Sequence, residues 1–199
     1  MPPVFFTGRN FSIMSLQEIA KQIANGLVST GIEGGTDAVS CSTAGDYPSL
    51  GCSQWEGGRA DILLSYIDGG GKFIGRSYSD IEESDEIDEL KELLSSPQGE
   101  EAQMMILEGD VGTYVEELTS IEGFNDEKCI IFAGMWCPTS LYCVSRFIEK
   151  LAEEGYDIND LDTIYEKFKD EYAYDVCCDE YAEGYAHRAD VTYDYVASI

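Results

Sequence analysis

Apolar residues recur three and four positions apart through most of this chain, the spacing of helices that bury one face. Ser15-Leu16-Gln17-Glu18 has the form of a capping box, and Leu16, Ile19, Ala20, Ile23 and Leu27 follow at helical spacing, so a helix is predicted to run toward Gly31. From Gly34 to Ser53 that period disappears. Gly, Ser, Thr, Asp and Pro take over, which predicts turns and a short hairpin. A short helix is expected over 59–67, where Ile62, Leu63 and Tyr66 keep core spacing and Asp68-Gly69-Gly70-Gly71 closes it. Residues 72–79 read as a loop. Further helices are predicted over 84–94, 97–118, 126–136, 140–154, 159–172 and 180–197, and Leu161, Ile164, Tyr165 and Phe168 form a clear apolar stripe. The fold class is therefore mainly α, a helical domain with one small β-hairpin. There is no internal repeat and no low-complexity linker, so residues 1–199 read as a single domain.

With 199 residues, 44% of them hydrophobic, the chain is long enough for one sizeable core. No apolar run approaches the roughly 20 residues that cross a bilayer, and Met1-Pro2-Pro3-Val4-Phe5-Phe6 lacks the basic start and apolar length of a signal peptide. A protein made in the cytoplasm, without membrane insertion and without an export signal of its own, is expected.

Charge changes the picture more. Thirty-nine acidic residues face 12 basic ones, a net charge of −27, which argues against direct binding to nucleic acid because phosphate contacts require Lys and Arg. The acids share helices with apolar residues, as over 81–94 and 100–118, and so read as solvated faces. The sharper reading is an acidic interaction protein that mimics nucleic acid and occupies a basic partner.

Seven cysteines, Cys41, Cys52, Cys129, Cys137, Cys143, Cys177 and Cys178, lack the paired short spacings of a zinc site and read mostly as reduced core thiols. The adjacent Cys177 and Cys178 leave redox or metal chemistry open, but no metal and no cofactor is expected. The one histidine, His187, sits in a Tyr- and Ala-rich helical stretch and reads as structural or surface. Tyr185 and Tyr193, in the same stretch, read as packing.

The candidate chemistry lies in the aperiodic segment. Cleaving a bond between two sugars needs a protonated carboxylic acid beside the leaving oxygen and, usually, a second carboxylate that activates water or stabilises charge developing on the ring. Glu33, where the first helix is expected to end, is the candidate acid; burial and the negative field of the protein would keep it protonated. Asp46, 13 residues on in the hairpin, is the candidate second carboxylate, with Asp37 as runner-up. A separation of about 6.5–9.5 Å would predict inversion and one near 5 Å retention. Tyr47, Ser49 and Gln54 are placed to hydrogen-bond sugar hydroxyl or N-acetyl groups, and Trp55 either stacks on a sugar or fills the core.

These residues resemble a family. Glu33, the hairpin and Gly51-Cys52-Ser53-Gln54-Trp55 look like the catalytic half of lysozyme-like peptidoglycan hydrolases, closest in pattern to goose-type lysozymes, soluble lytic transglycosylases and bacteriophage lytic domains. In that superfamily a helix ends in the catalytic Glu, a hairpin follows, and a Gly-x-x-Gln-aromatic motif opens the next helix. Glu33 lies 21 residues before Gln54, a separation similar to the family's, although Gly34 stands where the family often has Ser. The segment from Lys72 through Trp136-Cys137-Pro138-Thr139-Ser140 also looks like the helical remainder of phage and mobile-element proteins with this opening.

The resemblance implies an α+β lysozyme-like fold with its catalytic half at about 12–70 and a helical remainder over 80–199. It implies a glycoside hydrolase that cleaves the N-acetylmuramic acid/N-acetylglucosamine bond of bacterial peptidoglycan, with Glu33 and Asp46 catalytic and Tyr47, Ser49, Gly51, Gln54 and Trp55 binding substrate. A lytic transglycosylase on the same bond, which needs no second carboxylate, and a domain that binds walls without turnover are the alternatives. Because anionic walls repel so acidic a protein at low salt, the implied setting is a lytic domain carried to the cell wall by a phage particle or larger assembly.

Overall fold

A computed structural model of the chain describes residues 14–42, 44–176 and 179–199. The Met1–Phe6 start and the Cys177-Cys178 pair lie outside them. The first helix, α1 (Leu16–Thr30), begins at the expected capping box, with Ser15 Oγ accepting from the Glu18 amide and the Glu18 carboxylate accepting from the Ser15 amide, and it stops at Gly31 in the left-handed conformation. Its Ile19, Ile23 and Leu27 are buried, each contributing about 1.5–3 kcal/mol of transfer free energy.

Three short strands follow, β1 (Val39–Cys41), β2 (Pro48–Leu50) and β3 (Trp55–Glu56), antiparallel in the order β1-β2-β3. Val39 pairs with Leu50, Cys41 with Pro48, and Leu50 with Trp55. The expected hairpin is the first pair; the third strand is an addition, too short to carry a period-2 signal.

The rest is helical: α2 (Gly57–Ser65), α3 (Tyr78–Glu83), α4 (Ile87–Leu94), α5 (Pro97–Ser120), α6 (Glu127–Gly134), α7 (Cys137–Glu153), α8 (Leu161–Asp170), α9 (Tyr172–Asp175) and α10 (Ala182–Ser198). The expected 72–79 loop is shorter than predicted, because Ser77 caps α3 by accepting from the Asp80 amide. Ser140 within α7 is extended (φ −178°, ψ 109°), and its Oγ accepts from the Cys143 amide at 3.3 Å, so the start predicted at residue 140 falls at a kink inside a helix that begins earlier.

One connected core runs from Ile19 to Val196. Helix α1 lies along α5, also touching α6 and α10, while α10 lies along α8. Where α1 meets α6 the Ile23 side chain packs so closely on Gly134 that a Cβ there would collide with it. The C-terminal helices close around Phe132, Trp136, Phe147, Phe168 and Tyr172, whose rings meet at centroid distances of 4.8–6.3 Å. Among the described residues, no helix is long and apolar enough to cross a membrane. Cys52, Cys129 and Cys137 are buried free thiols, as expected, whereas Cys41 is exposed.

Candidate functional site

Helix α1 ends before Glu33, which occupies the turn that follows: Gly31 reverses the chain, and the Gly34 amide donates to the Gly31 carbonyl at 3.1 Å. The Glu33 side chain is 15% exposed, and the group facing it is a cation rather than an apolar wall. Oε1 accepts from Arg188 Nη2, which arrives from α10. The same nitrogen donates to the Met135 carbonyl at 2.7 Å, and the guanidinium lies over the Trp136 ring, 5.4 Å from its centroid.

Glu33 opens onto a cleft of about 590 Å³ shared with Ser53, Gln54, Trp55, Glu56, Arg59, Asp110, Tyr114 and Pro138. Two further carboxylates line it, Glu56 and, on α5, Asp110. Trp55 Nε1 donates to Asp110 Oδ2 at 3.0 Å, and Arg59 pairs with the other oxygen. The bidentate clamp fixes the Asp110 carboxylate in the cleft wall. Burial, with the Asp110 charge next, raises the Tyr114 hydroxyl above the ordinary tyrosine range and keeps it a neutral donor. Burial chiefly, with the Glu33 charge adding, pushes the Cys52 thiol up to about 11, which keeps it protonated at neutral pH.

A second hollow of about 420 Å³ meets the first at Glu33 and Gln54 and continues past Gly34, Asp37, Ser40 and Lys91. Asp37 thus lies near Glu33. Asp46 lines neither hollow. Its Oδ1 accepts from the Ser79 amide at 3.0 Å and Ser79 Oγ at 2.9 Å, tying the hairpin to the start of α3. Those two bonds, the backbone one first, hold its carboxyl below the usual range.

Gln54, Ser49 and Gly51 form one unit. Gln54 takes left-handed backbone (φ 50°, ψ 48°); its Nε2 donates to the Gly51 carbonyl at 3.0 Å, while Oε1 accepts from Ser40 Oγ at 3.0 Å and Ser49 Oγ at 3.1 Å. The amide that sequence reasoning assigns to substrate therefore holds the hairpin onto the following turn, and Ser49 is buried beneath it. Gly51 is also left-handed, and a Cβ there would meet the amide of Gln103. That fully buried amide anchors the segment to α5: Oε1 accepts from the Cys52 amide at 2.9 Å, and Nε2 donates to the Thr36 and Leu94 carbonyls, each at 3.0 Å. Trp55 is 5% exposed, so its ring packs as core while its indole nitrogen orients Asp110. Tyr47 is half-buried beside Gly45 and lines neither hollow.

Sequence reasoning missed Arg59, Asp110, Tyr114 and Arg188. Two of them carried a readable signal. Asp110 interrupts the stripe Ile106, Leu107, Val111, Val115 on α5, and Arg188 falls on the α10 face that buries Ala189, Thr192 and Val196. A charge at a core-facing position demands a partner, and here each has one. His187 is exposed, in keeping with the surface role expected of it. Comparison with protein-family models, with curated proteins and with solved structures returned no match.

Proposed function

We propose that this chain cleaves the glycan strands of bacterial peptidoglycan, on an α+β lysozyme-like framework, with Glu33 as the general acid. The observation that carries the reading is that Glu33, at the junction of helix and hairpin, shares one cleft with Asp110, a carboxylate held in place by Trp55 and Arg59, and with Tyr114. Protonated Glu33 delivers its proton to the glycosidic oxygen as the bond to the sugar carbon breaks. Asp110, fixed by Trp55 and Arg59, faces the positive charge that develops on the ring, and Tyr114 offers a hydroxyl donor to the sugar. Water then adds its oxygen to that carbon and returns a proton to Glu33. In the transglycosylase variant the sugar's own hydroxyl attacks instead, which leaves an anhydro end. In either route Arg188 gives way before Glu33 carries a proton.

Peptidoglycan incubated with the protein and with Glu33→Gln, followed by mass analysis of soluble products, tests the reading. Reducing-end fragments identify a hydrolase and anhydro ends a transglycosylase, with the variant slower by at least about a hundredfold. Undiminished turnover by Glu33→Gln refutes the assignment. The acidic-mimic reading has one observation in its favour: Arg59, Lys72, Arg76, Arg146, Lys150, Lys167, Lys169 and Arg188 are all held in ion pairs, so the excess of acidic residues is not balanced by unpaired cations at these positions. It predicts no products and tight, salt-sensitive association with a basic partner, indifferent to Glu33.

A further inference from the structure

The Glu33–Arg188 pair borders hollows through both partners. Glu33 lines the two described above, whereas Arg188 lines a third, of about 520 Å³, between the end of α1 and the start of α10. Gly31 and Ile32 form one wall; Tyr181, Tyr185, His187 and Arg188 form the other. His187 and Arg188 are the only basic residues after Lys169, and both line this hollow.

Arg188 is 7% exposed, and its Nε has no hydrogen-bond partner among the described residues. A guanidinium presents Nε and Nη2 along one edge, a fork matched to the two oxygens of a carboxylate. Nη2 serves both Glu33 and the Met135 carbonyl, and Nε serves no acceptor among the described residues. A buried donor left without an acceptor is costly, and a second carboxylate entering from the hollow would satisfy it. Beside that edge stand two phenol rings, Tyr181 and Tyr185, with centroids 6.4 Å apart, and the Tyr181 ring is 57% exposed. Rings in that position offer apolar faces on which a sugar packs.

We infer that this hollow is a subsite for an acid borne on the glycan, a carboxylate attached to a muramic sugar, and that the bound acid draws Arg188 away from Glu33 and releases Glu33 to take up its proton. The subsite rests on the glycan-cleavage reading for the identity of its ligand. The carboxylate belongs either to the lactyl group of a bare muramic acid or to a short peptide attached to it, and the two are told apart by which probe binds.

The protein, followed by amide NMR, is titrated with N-acetylmuramic acid, with N-acetylmuramyl dipeptide and with uncharged N-acetylglucosamine. One of the two acids is expected to saturate shifts at Gly31, Gly184 and His187, at least about tenfold more tightly than N-acetylglucosamine, the worth of one charged hydrogen bond. Glu33→Gln, which no longer competes for Arg188, binds that acid about tenfold more tightly than the native protein. Tyr181→Ala, at an exposed position that spares the fold, binds it more weakly, and Arg188→Gln loses it. Equal binding of the acids and N-acetylglucosamine, or no gain with Glu33→Gln, overturns the subsite. Should the acid bind as described while no glycan is cleaved, catalysis fails and the subsite stands; should Glu33-dependent cleavage occur without acid binding, the subsite alone fails.

Discussion

Removing the Gln103 amide is expected to destabilise the protein far more than an ordinary polar-to-apolar change. Gln103→Met keeps the approximate volume and shape of the side chain but deletes the group that serves the Cys52 amide and the Thr36 and Leu94 carbonyls. The bonds to Cys52 and Leu94 are fully buried, and each backbone group left without a partner there costs about 1–3 kcal/mol. The total is about 2–6 kcal/mol, counting nothing for Thr36, which is only half-buried. With a urea slope of about 2 kcal/mol per molar, the unfolding midpoint should fall by about 1–3 M, read by far-ultraviolet circular dichroism. Gly51 supplies the control. Gly51→Ala alone adds strain at φ 70° and a collision with the Gln103 amide, whereas in a Gln103→Ala background the collision disappears, so the two changes should couple by about 1 kcal/mol or more. A midpoint shift below about 0.5 M for Gln103→Met, or strict additivity of the pair, would show that the amide is not what fastens this segment to α5.

Phe168→Ala removes a fully buried ring that touches Phe132, Trp136, Phe147 and Tyr172, and thermal unfolding should report a loss of about 3–5 kcal/mol. Asp46 is ionised more readily in the fold than its ordinary value of 3.8, so its tether is present above that value and is lost as pH falls through the lower, folded one; native and Asp46→Asn stabilities should differ at neutral pH and converge in acid. Alkylation with iodoacetamide at pH 7, mapped by mass spectrometry, should modify exposed Cys41 first among the described cysteines and leave Cys52 intact until urea is added, given its raised thiol. If peptidoglycan is the substrate, turnover should rise with added salt up to about 0.15 M as repulsion from the anionic wall is screened, and a monotonic fall would count against it.

The helices were legible because their signals are local. Ser15 with Glu18, the Ser96-Pro97 start of α5, Asp126 and Asp160 cap helices with bonds that span three residues, and such bonds can be read from neighbours alone. The position of Glu33 beside a hairpin was legible for the same reason, as the loss of periodicity after Gly34 marks it. The groups around Glu33 were not. Asp110 and Arg188 reach the site from α5 and α10, and their partners in the fold lie 51 to 155 positions away in sequence, so only the oddity of a charge on an apolar face announced them. Asp46 misleads in the opposite direction: an acid in a turn before Tyr47-Pro48 suits a cleft edge and a loop tether equally, and a serine 33 positions on decides between them.

The bond between Glu33 and Arg188 also orders events during folding. It closes a loop of 155 positions, and it depends on a helix that packs against α8 and α1. Local helices and the hairpin form early, since they need little chain entropy, whereas a contact of such long range waits until both ends of the domain are in place. A chain interrupted before residue 188 would carry Glu33, Gln54 and Trp55 in full, yet with one wall of the site missing and the Glu33 carboxylate facing no cation. Assembly of the site is thus tied to completion of the domain, and a nascent or truncated chain would hold its chemistry in an unfinished form.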